Sequence, residues 1–435
     1  MSDSLLFPPD SVKGMTKLDK SKFEKVIRAP FVSVQNSHLE DISTLLKPYF
    51  LLLDNFKCVV EESDRPQSKA IILNPDLIKK FDDIPENVRN ALQQINVTDL
   101  NYKQISLKFE NYKRGDIFKA VLPFDGTRVT GHSIIGHIIQ LNLREHLLPF
   151  KHLIGEIFLA TSKSDIKRIV NKSQIIDSEF RFFEMETLAE RPEAKDLGTI
   201  VELSEHENKF KFDFAKVYWN PRLSTEHKRI VSKIKRFDVL YDMFAGVGPF
   251  AIPVAKKKSC QVLANDLNPE CYRWLLENIK LNKCGDNIKA YNMDGRDFVQ
   301  SVVKNHFIEQ CKTLLAKQEY SQIPTFHVTM NLPAIAIEFL DAFEELVDED
   351  EVGDLPKNLL LPKIHLYCFL QDLENAEAIV VKMIEDALKC KLNEIEEIKE
   401  VRSVAPNKLM FRTSFSLPEN VFFAARNVNK RQKIV

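Results

Sequence analysis

An aspartate that closes an apolar run, two glycines just behind it, and one aspartate beyond each of the next two apolar runs are the residues best suited to hold a charged ligand. The first run is F-D-V-L-Y-D-M-F-A-G-V-G-P-F-A-I-P, Phe237 to Pro253. Val239, Leu240, Tyr241 and Met243 read as a buried strand, with Asp242 inside it where an unpaired carboxylate is costly. Gly246 and Gly248 punctuate a tight turn, and Pro249 suits the first position of a helix. A second run, Gln261 to Ala264, leads to Asp266 and Leu267, and a third, Ile288 to Met293, leads to Asp294 and Gly295. Strand, glycine turn, helix, strand and acid make half of a nucleotide-binding α/β sheet.

Gly246, Gly248 and Ala251 also fit the G-x-G-x-x-G/A pattern, which keeps a nicotinamide or flavin enzyme open. A phosphate-binding P-loop is excluded, because no Gly-Lys-Ser/Thr follows. The acids separate the remaining readings. Three carboxylates at successive strand ends repel a pyrophosphate and favour a cation that carries a ribose and an adenine. S-adenosylmethionine is such a ligand, with a sulfonium, an ammonium, ribose hydroxyls for Asp266 to accept from, and no phosphate. Any one of these acids alone would serve equally well as a strand-end cap.

The 435 residues suffice for two or three domains. A hydrophobic content of 44% with 28% charged residues describes a globular chain. No apolar run reaches the ~18–20 residues of a membrane span, and the N-terminal stretch has neither a signal-peptide nor a transit-peptide pattern. Seven cysteines without C-x-x-C spacing predict reduced thiols in an intracellular protein. His132 and His137 lack a third ligand nearby, so no metal is assigned. A net charge of −1 gives no support for nucleic-acid binding, which must rest on local clusters. Lys228, Arg229, Lys233, Lys235 and Arg236 form one, and Arg426, Lys430, Arg431 and Lys433 another.

These groups need elements to position them. Residues 1–127 read as a small α/β domain, with strands over 23–34 and 56–60, a helix over 37–50 between them, another opened by Asn74-Pro75-Asp76, a helix over 86–95 and a strand over 105–109. Residues 128–205 alternate at period two, I-G-E-I-F-L-A included, and predict a mainly antiparallel β domain. Residues 206–435 hold the nucleotide-type sheet. A hairpin around Glu207-Asn208 leads into it, followed by a helix that Ser224 or Thr225 caps and that starts at Glu226. Beyond Asp294 come strands over 325–330, 364–369, 398–403 and 410–416, and an acidic loop over 344–355 with no assignable role. The fold expected is α/β: a seven-stranded, Rossmann-like class I methyltransferase domain preceded by two smaller domains.

V-Y-W-N-P-R-L-S-T-E-H, D-M-F-A-G-V-G-P-F-A-I-P, N-D-L-N-P and M-N-L-P together resemble the eukaryotic and archaeal tRNA (guanine-37 N1) methyltransferases. G-H-I-I-Q-L-N-L-R, K-H-L-I-G-E-I and V-A-P-N-K follow the same order, so the likeness covers roughly residues 130–421. The resemblance implies methyl transfer from S-adenosylmethionine to N1 of the guanosine 3′ to the anticodon of tRNA. By the same likeness Glu226 is the general base, Arg181 steadies charge on the base, and Asn331 orients it. Asp242, Gly246, Asp266, Leu267, Asp294, Gly295, Asn331 and His227 contact the cofactor, and Tyr218 and Arg222 contact tRNA. The motif here is Asn-Leu-Pro, without the stacking aromatic of the N-P-P-Y/F pattern, which argues against amino-group substrates. The resemblance further implies a monomer without membrane attachment, in cytoplasm and nucleus, with a mitochondrial-matrix pool as an added expectation. A methyltransferase for another RNA or a protein amide, and a non-catalytic RNA-binding relative, are the alternatives.

Overall fold

The computed structural model describes the chain except residues 1–3, 63, 124–128, 130, 176–182, 259, 318–322, 372–374, 406–407 and 425–435. Its contacts divide it into two compact units, residues 1–173 with 185–196, and residues 174–184 with 197–435.

In the first unit a four-stranded antiparallel sheet runs in the order Val59–Glu61, Ser68–Ile72, Lys25–Gln35, Asn101–Leu107. Alternation along Lys25–Gln35 sends Val32 and Val34 to one face and Ile27 and Ala29 to the other. Val32 and Val34 cluster with Ile42 and Leu46 of helix Leu39–Leu46 and with Val88 and Leu92 of helix Glu86–Gln94. Ile27 and Ala29 join a second cluster that reaches Ile139, Ile154, Phe158 and Leu188, so residues before and after position 127 share one core. Asn74-Pro75-Asp76 opens a turn instead of the expected helix, with the Asp76 amide donating to Asn74 Oδ1 at 2.9 Å.

The second small sheet orders His132–Ile135, Ile138–Leu141, Arg168–Ile175 and Phe183–Glu190. Its middle pair is parallel, an exception to the mainly antiparallel pairing expected there. A parallel pair needs a crossover, and the helix Lys151–Ala160 supplies it where I-G-E-I-F-L-A had suggested a strand. Leu153, Ile154, Ile157 and Phe158 recur at helical spacing and bury one stripe. Gly155 permits the approach to the last strand, since a Cβ there would lie 2.5 Å from Leu188 Cβ.

The second unit begins with the hairpin Ile200–Glu205 and Asn208–Asp213. Its turn is His206-Glu207, both at positive φ, one residue earlier than expected. The main sheet has seven strands, which in chain order are Val239–Asp242, Gln261–Asn265, Ile288–Tyr291, Phe326–Met330, Lys363–Leu370, Ile395–Ala405 and Lys408–Ser416. Their spatial order is third, second, first, fourth, fifth, seventh, sixth. The first five are parallel and the last two form an antiparallel hairpin on the edge. Residues 344–355 are no mere loop: Leu346, Val347, Val352 and Leu355 are buried in the sheet's core, and Val347–Asp348 pairs with Phe423–Ala424.

Candidate active site

Parallel pairing brings the C-terminal ends of the first four strands to one edge, and the expected cofactor residues follow them. Asp242 ends the first strand in register with Ala264 and Thr329. Its Oδ1 accepts from Thr329 Oγ1 at 2.8 Å, whereas its Oδ2 is buried with no hydrogen-bond partner. Burial, with the charge of Asp266 adding, pushes the Asp242 carboxyl up to about 7. An orphaned buried acceptor of this kind fits the cationic end of S-adenosylmethionine.

The turn behind Asp242 needs its glycines. Gly248 has φ +96°, and a Cβ on it would meet Ile252 Cδ1 at 2.7 Å and Leu275 Cδ1 at 2.8 Å. Asp266 Oδ2 accepts from the Gly246 amide at 2.7 Å, and its Oδ1 from the Asn268 amide at 2.9 Å, which fixes the acid against the turn. Burial raises the pKa of Asp266 as well. Asn265 bridges the carbonyls of Met243 and Met293, tying together the ends of three strands. Leu267 is 43% exposed beside Asp266, as a wall for a flat ring would be. Asp294 caps the short helix after the third strand by accepting from the Arg296 amide at 2.8 Å, and Gly295 backs onto Phe339 and Phe244. Asn331 follows the fourth strand, half-buried.

Glu226 lies in helix Ser224–Lys233, which starts two residues before the expected position. The cap comes from Asn220, whose Oδ1 accepts from the Arg222 amide at 3.1 Å in a single 3-10 turn, with Pro221 at its first position. Glu226 is only 2% exposed. Its Oε1 accepts from Arg412 Nε at 2.6 Å and from the Tyr367 hydroxyl at 3.0 Å, and its Oε2 accepts from Arg229. Arg412, wholly buried, also donates to Glu397 at 2.9 Å, and Glu397 pairs with Lys233 at 2.8 Å. Charges therefore alternate along Arg229, Glu226, Arg412, Glu397 and Lys233, so no buried charge lacks an opposite neighbour. Burial first, and then the charge of its hydrogen-bond partner Glu226, hold the Tyr367 hydroxyl well above its usual range, with a smaller contribution from Asp242.

His227 is buried, with Nδ1 at 2.7 Å from Glu205 Oε1 and its ring edge-on to Phe250 at 5.0 Å. Tyr218 is 50% exposed, and its neighbour Trp219 packs on Phe210 and Phe212 of the hairpin. Arg222 is exposed. Arg402, from the edge hairpin, is near enough to feel both Tyr218 and Arg222; burial and then the Arg222 charge lower its pKa. Arg181 lies outside the described residues. Sequence reasoning missed Arg402, Tyr367 and Arg412. For Arg412 there was a signal, a cation within the apolar run L-M-F-R-T-S-F, which demands a buried partner acid. No group of histidine, cysteine and acid side chains suited to a metal ion occurs among the described residues.

Two family models match the chain, the TRM5/TYW2 methyltransferase domain over residues 199–318 and the TYW2 N-terminal domain over residues 116–190. The tRNA (guanine(37)-N(1))-methyltransferase of Drosophila melanogaster is 41% identical over 98% of this chain and 90% of that protein. The Homo sapiens enzyme of the same name is 41% identical over 98% of this chain and 80% of that protein. Among solved structures, a complex of an archaeal Trm5 with leucine tRNA superimposes with TM-score 0.59 at 22% identity, over 90% of this chain and all of that one. Trm5b from Pyrococcus abyssi gives TM-score 0.57 at 22% identity, over 89% and 98% of the two chains. Sheet order, glycine turn and strand-end acids thus define a class I methyltransferase fold. At the level of identity to the fly and human enzymes, the chain belongs to the tRNA (guanine(37)-N(1))-methyltransferase family.

Proposed function

We propose that this chain methylates N1 of guanosine 37 in tRNA, with Glu226 as the general base. The observation that carries the proposal is a buried carboxylate, Glu226, held by two arginines and a tyrosine in the same unit as the strand-end acids of a methyltransferase fold. S-adenosylmethionine, when bound, supplies a methyl group on a positively charged sulfur. Asp242, Gly246, Asp266, Leu267, Asp294, Gly295, Asn331 and His227 are the residues that would hold it.

Guanine N1 carries a proton at neutral pH and is a poor nucleophile until that proton leaves. Glu226, paired with two arginines, accepts it, a service worth roughly 10²–10⁴-fold. The charge left on the base spreads to O6, where Arg181 would provide the compensating cation. Asn331 would orient the edge of the base. Tyr218 and Arg222 would hold the nucleotide and its phosphate once the base has left the loop stack. Residues 1–127 and 128–205 would grip the body of the tRNA. The enzyme would act as a monomer in cytoplasm and nucleus, with a mitochondrial pool, to be tested by light scattering and by fractionation of cells.

Mass mapping of the modified nucleoside tests the reaction. Transcripts with guanosine at position 37 should acquire N1-methylguanosine, and transcripts with adenosine there should remain unmodified. Equal labelling of both would defeat the assignment.

A further inference from the structure

Glu226 has two oxygens in unlike surroundings. Oε1 faces Arg412, with no solvent contact, and Tyr367, also wholly buried. Oε2 faces Arg229, whose side chain is 32% exposed. Behind Arg412 the network goes deeper. Arg412 donates to Ser414 Oγ, Ser414 Oγ lies 2.8 Å from His365 Nδ1, His365 Nε2 lies 3.0 Å from His327 Nδ1, and His327 Nε2 lies 3.3 Å from Asp238 Oδ2. Burial, with His327 and Arg412 adding, holds the His365 pKa well below the usual range, so its ring is neutral. When His327 is neutral as well, one set of tautomers satisfies every link. The Ser414 hydroxyl donates to His365, His365 Nε2–H to His327, and His327 Nε2–H to Asp238.

This chain does not conduct protons to Glu226, because Arg412 interrupts it. Burial alone would lower the pKa of Arg412, but its bond to Glu397 and the charge of Glu226 raise it, so the guanidinium keeps every proton. What the chain provides is rigidity: each of the three nitrogens of Arg412 has its own acceptor, in Glu226, Ser414 and Glu397.

We infer that Arg412 and Tyr367 are positioning residues that fix Oε1 of Glu226, and that Oε2, which the partly exposed Arg229 covers, is the oxygen that takes the guanosine proton. The inference rests on the reading of Glu226 as base. In that step the N1–H bond breaks, an Oε2–H bond forms, and the electron pair stays on N1. Arg229 must swing off Oε2 for the base to approach, and the incoming RNA phosphates offer it a replacement partner. Oε1 cannot be freed in this way, since its donors belong to the sheet.

Single-turnover methyl transfer to a guanosine-37 transcript, followed against pH with the full chain, tests this. The groups that set the charge around Glu226 are Arg229 and Lys233 on its helix, Tyr367 and His365 on the fifth strand, Arg412 and Glu397 on the edge hairpin, and Asp242. Tyr367→Phe removes one hydroxyl and should lower the plateau rate roughly 10- to 30-fold. It should also displace the acidic limb of the profile upward, with S-adenosylmethionine affinity unchanged. Arg412→Lys, which loses the three-way fork, should do the same more strongly. Arg229→Gln should move the limb in the same direction and raise the plateau.

Parental rates and limbs in Tyr367→Phe and Arg412→Lys would overturn the positioning role. A fall in the Arg229→Gln plateau as large as that of Tyr367→Phe would overturn the oxygen assignment. Glu226→Ala separates the two levels: full activity in that variant defeats the base itself, whereas its loss beside a normal Tyr367→Phe defeats only the present inference.

Discussion

Asp242 and Glu226 are both buried, at 0% and 2% exposure, yet the chain completes the hydrogen bonding of one and leaves the other short. Glu226 accepts from two arginines and a tyrosine. Asp242 has one side-chain donor, Thr329, with the Ala251 amide also favouring its charged form, an Oδ2 without a geometric hydrogen-bond partner, and a second acid that disfavours its charge. A buried carboxylate with donors on both oxygens has its hydrogen-bonding cost met within the protein. An unpaired one is costly until a cation reaches it. On the proposed reading the difference gives chemistry to one region and cation binding to the other, although both present the same functional group.

Three measurements would break or sharpen that contrast. Asp242→Asn keeps the shape and the bond to Thr329 but removes the charge; it should weaken S-adenosylmethionine binding about 10- to 100-fold by calorimetry, while a bound, saturated variant still transfers methyl groups. The pH dependence follows with a definite sign. Cofactor affinity should fall about tenfold per unit below pH 7 and level off above it, because the cation needs the carboxylate form. Without cofactor, the raised pKa of Asp242 stabilises the fold fully below its unfolded value near 4, and that contribution is lost as pH rises to about 7. Thermal melts with and without S-adenosylmethionine should therefore diverge across this window. The smallest effect belongs to the rim. Arg402→Ala should weaken tRNA binding a few-fold and lower its salt slope by about one, with no change in cofactor affinity.

What could be seen in the sequence divides along the same line. The Asp242 region is local: strand, Gly246, Gly248, helix and Asp266 lie within one short stretch, so spacing alone reveals the crevice. Glu226 is visible, but its environment is not, because Tyr367 and Arg412 are 141 and 186 residues away. The apolar positions Ile230, Val231 and Ile234 suggest a helix that packs by hydrophobic contact; Ile230 and Ile234 are buried and Val231 is half-buried. The charges of Glu226, Arg229 and Lys233 on that helix form the other half of the attachment. The misread helix at Lys151–Ala160 has a similar cause: I-G-E-I-F-L-A satisfies a two-residue and a helical period at once, and the parallel pairing around it decides. Arg402 reaches Tyr218 and Arg222 only because the last hairpin lies on the edge of the sheet.

The division of labour is tested most directly by Glu226→Gln in single-turnover methyl transfer to guanosine-37 tRNA, at a concentration of S-adenosylmethionine shown by calorimetry to saturate the same sample. The account predicts a rate lower by roughly 10²–10⁴-fold with the dissociation constant for the cofactor unchanged. A parental rate, or a loss explained wholly by weaker cofactor binding, would contradict it.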